Sequence, residues 1–218
     1  MVVSPHLDDA VLSCTALLAS RPGARVVTAY TAAPSAWQGL TEWDRQCGFR
    51  AGDDVMAARK REDVAALAVL GAEPVWLDLV EEQYESRPGP EEVARRLREA
   101  MVALSPPPLE VAVPLGVDHA DHLAVSDAML ALRAEGVLPA ATWLLYGDLP
   151  YAAASPEEAE ARRASLADRG IGLERQGAPT GASATVKRAA LARYRTQIRP
   201  LWDSLPLQPE LEELWRLT

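Results

Sequence analysis

The 218-residue chain is 49% hydrophobic and 24% charged, enough apolar mass for one sizeable core. Thirty-one acidic residues face twenty-two basic ones, a net charge of −9, which excludes a general phosphate-backbone binder but leaves room for a local basic pocket. Every long apolar stretch is interrupted by Arg, Asp or Glu before it reaches bilayer length, so no membrane span is expected.

In chain order, residues 1–4 read as a short buried strand and 10–20 as an apolar helix ended by Arg21-Pro22-Gly23. Residues 25–31 (RVVTAYT) are rich in β-formers and predict a second strand. Residues 32–52, with Trp37, Trp43 and Phe49, form a long irregular stretch, either a functional loop or a surface excursion packed by its own aromatics. Asp53 and Asp54 open a helix that runs to Leu70 and stops at Gly71; its stripe includes Val55, Ala58, Val64 and Leu67.

Residues 74–79 (PVWLDL) predict a third strand, 80–90 a polar loop and 91–104 a helix with Pro90 at its start. Pro106 to Pro108 stop that helix, and 109–115 form the fourth strand. A polar stretch, GVDHADH, leads into a helix over 121–133, followed by a fifth strand over 141–146. A helix over 156–169 capped by Ser155, an edge strand over 171–176, a helix over 185–198 and a last short helix over 209–217 complete the reading. Strands alternate with helices five times, the pattern of a mostly parallel sheet covered on both faces: a three-layer α/β/α fold in a single domain spanning 1–218.

The N-terminus has no basic region followed by an apolar one, so no signal peptide is expected, and a cytoplasmic location follows. Cys14 and Cys47 form no C-x-x-C pair and read as two reduced thiols, with Cys14 in the core.

In such folds ligands gather at the carboxyl ends of the strands. The chain has three histidines, and all fall in two such places: PHLDD after the first strand and HADH after the fourth. Whether the two stretches meet depends on strand order. Taken singly, each has a plain structural explanation. Asp8 or Asp9 could cap the first helix, Asp118 or Asp121 the later one, and His6 could be a satisfied core histidine. Taken together, two histidines and a carboxylate match the ligand set of a catalytic zinc site that leaves a position for water. The remaining carboxylates and histidine could supply a general base, an oxyanion donor and a residue that orients a ligand. His6, Asp8, Asp9, His119, Asp121 and His122 are the candidates, and residue types alone do not apportion these roles.

SPHLDDAVLSC resembles the PHxDD motif of the LmbE/PIG-L deacetylases, and HADH is similar to that family's HxDH motif. Weaker likenesses extend it: Arg59 and Glu62 in an R-x-x-E helix, YGDLPY at 146–151 with Gly147 where some members have Glu, and YRTQ with Thr196 where members have Ser. The resemblance implies a Rossmann-like fold and a zinc-dependent hydrolase, with another divalent metal possible. The substrate implied is a small N-acetylglucosamine-type amino sugar conjugate. It further implies that His6, Asp9 and His122 bind the metal, that Asp8 is the general base, that His119 stabilises the oxyanion, and that Asp121 orients His119. Arg59 becomes a candidate for holding substrate hydroxyls or a phosphate; a solvated arginine paired with Glu62 or Asp63 is the alternative. Asp78, at the end of the third strand, is a candidate for a sugar hydroxyl. The family usually has a longer strand before PHxDD, so the expectation is either a shortened start or an unusually brief first strand.

Two further readings stay open on sequence: an amidase for a non-sugar N-acyl metabolite or thiol conjugate, and a non-catalytic sugar-binding α/β module. High Ala and Arg usage fits a GC-rich bacterial genome. No Gly-rich phosphate loop supports a nucleotide cofactor.

Overall fold

The computed structural model describes residues 1–33, 39–84, 88–177, 184–200 and 211–218. Five parallel strands carry the frame: β1 (Val2–Ser4), β2 (Arg25–Ala32), β3 (Glu73–Val80), β4 (Glu110–Pro114) and β5 (Thr142–Tyr146). β6 (Leu173–Gln176) and β7 (Leu214–Leu217) complete a seven-stranded sheet in the order β3-β2-β1-β4-β5-β7-β6. β7 is antiparallel to both of its neighbours.

The strand sequences explain the layers. Val2 and Val3 point to opposite faces, and both faces are covered, so β1 and β4 read as unbroken apolar runs rather than alternating ones. On one face Val3, Val27, Val111, Val113 and Leu145 pack beneath α4 (Pro90–Ala103), α5 (Ala120–Ala134) and α7 (Pro156–Asp168). On the other, Val2, Val26, Ala112 and Leu144 pack beneath α1 (Asp9–Ala19), α3 (Val55–Val69) and α8 (Ala184–Leu191). Two short helices, α2 (Glu42–Gln46) and α6 (Tyr151–Ala154), sit in the connections. No helix among the described residues is long and apolar enough to cross a membrane. Both cysteines are free and buried.

The strand order answers the question left by the sequence. β1 and β4 are neighbours, paired at Val2 and Ala112, and the chain winds outward from them in opposite directions. That reversal opens a crevice at their carboxyl ends. The connection leaving β4 needs Gly116 there, with φ +84° and an added Cβ 2.8 Å from Ser126 Cβ and 3.1 Å from Leu123 Cα. Gly116→Ala therefore combines a left-handed backbone with a clash against α5, and should cost about 1–3 kcal/mol in urea unfolding.

Three element assignments differ from the sequence reading. The helix expected over 185–198 ends at Leu191, after which turns carry Tyr194 and Gln197. The last helix expected over 209–217 is replaced by β7 over Leu214–Leu217, with Leu214, Trp215 and Leu217 buried. The open edge of β5 offers a backbone ladder, and that pairing outweighs a local apolar spacing that also suits a helix. The loop expected over 80–90 contains a 3₁₀ turn, Glu82–Tyr84. Trp37 and the expected helix start at Pro209 lie outside the described residues.

α1 is buried along nearly its whole length, from Asp9 to Leu18, and its helix is broken at Cys14 (φ −134°, ψ 24°). The freed Ala16 N–H donates to Glu212 Oε2 at 2.8 Å, and Lys187 Nζ donates to Glu212 Oε1 at 2.8 Å. This pair is fully enclosed.

Candidate active site

The turn after β1 is held before any ligand is considered. Ser4 Oγ donates to His6 O at 2.6 Å and accepts from Ala10 N at 3.1 Å, and Tyr194 Oη donates to Leu7 O at 2.7 Å. Asp8 occupies the cap position of α1, yet its side chain makes no cap hydrogen bond. Its carboxyl group lines a cavity instead. Asp9, in the first helical turn, accepts from His6 N at 2.8 Å.

Across the crevice, the segment after β4 brings His119 to the cap of α5 and His122 into its first turn. The three histidine rings gather with centroids 4.9–5.5 Å apart. Asp9 Oδ2 is their meeting point, 3.3 Å from His6 Nδ1 and 3.1 Å from His122 Nε2.

Each of these two histidines is braced on its other nitrogen. His6 Nε2 lies 3.1 Å from Asp121 Oδ2, which also accepts from Glu82 N at 3.1 Å. His122 Nδ1 lies 3.0 Å from Asp148 Oδ1, whose second oxygen accepts from Gly116 N at 2.6 Å and Val117 N at 3.2 Å. A carboxylate behind each imidazole takes its outer N–H, so the inner nitrogen is the one that would give up its proton to bind a metal.

These residues fit a divalent ion on the structure's own terms. His6, Asp9 and His122 each offer a ligand atom within 4.8 Å of the others. His122 Nε2 is buried and faces Asp9 Oδ2, a carboxylate oxygen of the same donor set. Two imidazole nitrogens and one carboxylate oxygen are the donor set of an open zinc site. A second such group, His6, His119 and Asp121, shares His6.

The protonation tendencies follow from burial and neighbours. Burial, then the adjacent Asp9, pushes the Asp8 carboxyl up to about 7. Burial, then the charges of His6 and His122, brings His119 down to about 4, so its ring is neutral. His119 Nδ1 accepts from Asp121 N at 3.2 Å, which puts the ring hydrogen on Nε2. Burial opposes charge on His122, but Asp9 and Asp148 outweigh it and raise that ring to about 9.

The cavity, about 290 Å³, collects His6, Asp8, Asp9, His119 and Asp121 on its floor, with Trp43, Arg59, Glu81, Gln83, Tyr151 and Gln197 also lining it. The GlcNAc-PI de-N-acetylase family, PIG-L, matches residues 1–133. The chain belongs to the PIG-L family. No curated protein matches it. Among solved structures, this PIG-L chain is similar to the A40926 pseudoaglycone deacetylase at 27% identity and TM-score 0.73, covering 100% of this chain and 96% of that one. A triple mutant of a deacetylase from the teicoplanin biosynthetic pathway shares the fold at 24% identity and TM-score 0.75, with coverage of 100% and 96%. A deacetylase–teicoplanin complex from that pathway does so at 22% identity and TM-score 0.72, with coverage of 100% and 97%.

The remaining candidates of this PIG-L chain separate. Asp121 directs its carboxylate to His6 Nε2, while its Oδ2 is 4.0 Å from His119 Nδ1; the link to His119 runs through the Asp121 backbone N–H. Arg59 lines the cavity but is buried, 2% exposed, and its partners are neither Glu62 nor Asp63. It bonds Asp44 Oδ1 at 2.9 Å and Glu81 Oε1 at 3.4 Å. Glu62 instead holds Thr196, and Asp63 accepts from Trp76 Nε1 and Tyr194 Oη. Asp78 is not among the cavity's lining residues. It is exposed, with φ 54°, and is held by Lys60 Nζ at 2.7 Å and by Thr31. The bend that aims it at Lys60 takes it away from the crevice.

Sequence reasoning passed over Asp148 although YGDLPY was in view. The usable signal was its position just past the end of the fifth strand, the same address as the two motifs. Tyr151, whose ring stands edge-on to His122 at 5.0 Å between centroids, shares that signal. Asp148→Asn preserves shape, but its one amide oxygen cannot accept from both the Gly116–Val117 amides and the His122 Nδ1–H. Metal affinity should fall about 10- to 100-fold, read by titrating apo protein with zinc.

Proposed function

We propose that the chain is a zinc-dependent N-deacetylase that removes the acetyl, or a related N-acyl, group from an N-acetylglucosamine-type amino sugar conjugate. The observation that carries this reading is the convergence on Asp9 Oδ2 of two carboxylate-braced histidines, beside Asp8 and a neutral His119 in one cavity. Membership of the PIG-L family and the 27% identity to the A40926 pseudoaglycone deacetylase support acetyl removal as the reaction. One sheet running from Val2 to Leu217 supports a single domain, and two buried free thiols suit a reducing cytoplasm.

His6, Asp9 and His122 would hold the ion, zinc or another divalent metal. When bound, it supplies Lewis-acid polarisation and lowers the pKa of water to about 7. The protein's own residues do the rest. Asp8, facing the cavity, takes the proton of the attacking water and returns it to the departing nitrogen. His119 presents its Nε2–H to the acyl oxygen as that oxygen gains charge, and its neutral state lets it donate without a prior proton transfer. Asp121 and Asp148 keep the two ligand imidazoles in place. The amide C–N bond breaks, giving acetate and a free amine.

Purified protein assayed for metal content and for amine release from N-acetylglucosaminides tests this. Near-stoichiometric zinc, with release that depends on it, is the expected result. Protein without metal affinity, or faster turnover of non-sugar amides than of any N-acyl sugar, would overturn the reading.

A further inference from the structure

One buried donor in the cavity wall has no acceptor among the described residues and plays no part in the chemistry above: Gln197 Nε2. Gln197 is 5% exposed. Burying an amide N–H with no acceptor is unfavourable, and natural proteins do it rarely. Gln197 is also held firmly. Three residues earlier Tyr194 is tied to Leu7 O and Asp63, one residue earlier Thr196 is tied to Glu62 through both backbone and hydroxyl, and Ile198 after it is buried. A fixed, desolvated and unsatisfied amide at a cavity wall is a group prepared for a ligand.

The neighbours decide what kind of ligand. Arg59 is the cation of this wall, but Asp44 and Glu81 already bond it, and Gln83 bonds Glu81 in turn. Two carboxylates against one guanidinium leave this side formally negative, and Asp8, Asp9 and Asp121 lie on the floor of the same cavity. Even with a divalent ion held by His6, Asp9 and His122, an incoming phosphate or carboxylate would meet more carboxylates (Asp8, Asp9, Asp44, Glu81 and Asp121) than the ion and Arg59 offset. A hydroxyl or carbonyl oxygen, being uncharged, would not be repelled.

We propose that Gln197 forms a subsite that donates a hydrogen bond to an uncharged oxygen of the substrate, so that the preferred substrate is a neutral N-acyl glycoside rather than a sugar phosphate or a uronate. This rests on the deacetylase reading for its reaction and extends it to the class of substrate.

The test uses zinc-loaded protein and three probes: methyl N-acetylglucosaminide, N-acetylglucosamine 1-phosphate and the N-acetyl uronate. Turnover and direct calorimetric binding are measured for the parent, Gln197→Ala and Gln197→Met. The neutral glycoside should be favoured over both anions about tenfold or more. Both variants should weaken its KM and Kd about 5- to 10-fold, the scale of one neutral hydrogen bond, with kcat within about twofold. Gln197→Met should also leave the urea midpoint unchanged or raised, because a donor without an internal partner is removed. Unchanged binding of the neutral glycoside in both variants, a preference for either anion, or loss of stability in Gln197→Met would overturn the proposal. If no N-acyl sugar is hydrolysed, the deacetylase reading fails, and the calorimetric series still decides the subsite.

Discussion

Asp8→Asn is expected to retain zinc while losing about 10²- to 10⁴-fold in kcat, the contribution of a positioned proton-transfer group. The separation of binding from chemistry follows from geometry. Asp9, not Asp8, meets the two histidines, with Oδ2 at 3.1 and 3.3 Å from their inner nitrogens. Asp8 makes no cap hydrogen bond to α1, so the exchange leaves the helix start intact. Asparagine keeps the volume and removes only the ability to take a proton. The measurement is zinc stoichiometry on the same sample used for single-turnover assays. A variant that loses its metal, or one that turns over within threefold of the parent, would mean that the two aspartates do not divide the work in this way.

The second large effect concerns stability. Lys187→Met should cost about 3–5 kcal/mol in denaturant unfolding, because it leaves Glu212 buried without its cation. Glu212→Gln should cost a similar amount, since the amide oxygen can still accept from Ala16 N but the Lys187 charge is left uncompensated. The double replacement Lys187→Met with Glu212→Leu should recover part of the loss but not all. Swapping a buried ion pair for apolar groups is often close to neutral, but here the Ala16 N–H freed by the break at Cys14 is left without an acceptor. A residual deficit of about 1–3 kcal/mol is the expected signature. Full recovery would show that the α1 break is satisfied by other means.

The legible part of this molecule was its local chemistry. Three histidines confined to two short stretches, each past a strand, mark the candidate site, because strand ends and metal-ligand types can both be read one segment at a time. What could not be read was adjacency. Nothing local says that β1 lies beside β4, and without that order His6 and His122 need not share a carboxylate. Arg59 makes the same point. Helical spacing offered it Glu62 and Asp63, yet its partners come from α2 and from the end of β3, brought near only by the fold. Asp148 was hidden for another reason: an aspartate in a turn before proline is common, and its function lies in the two amides and the imidazole it reaches. The C-terminal segment misled because a short apolar spacing suits helix and strand alike until an edge is offered to it.

The insertion of β7 between β5 and β6 has a consequence for the order of assembly. Every proposed ligand of the metal, and the carboxylate behind each histidine, emerges from the ribosome before residue 149. The strand that covers β5, and the carboxylate that reaches back 196 positions to Ala16, arrive well after them. A nascent chain therefore carries a complete ligand set while β5 still presents a bare backbone edge beside apolar Trp143, Leu144 and Leu145. Such an edge is the kind that pairs with another chain. Early metal capture would steady the site half while the edge waits for its partner.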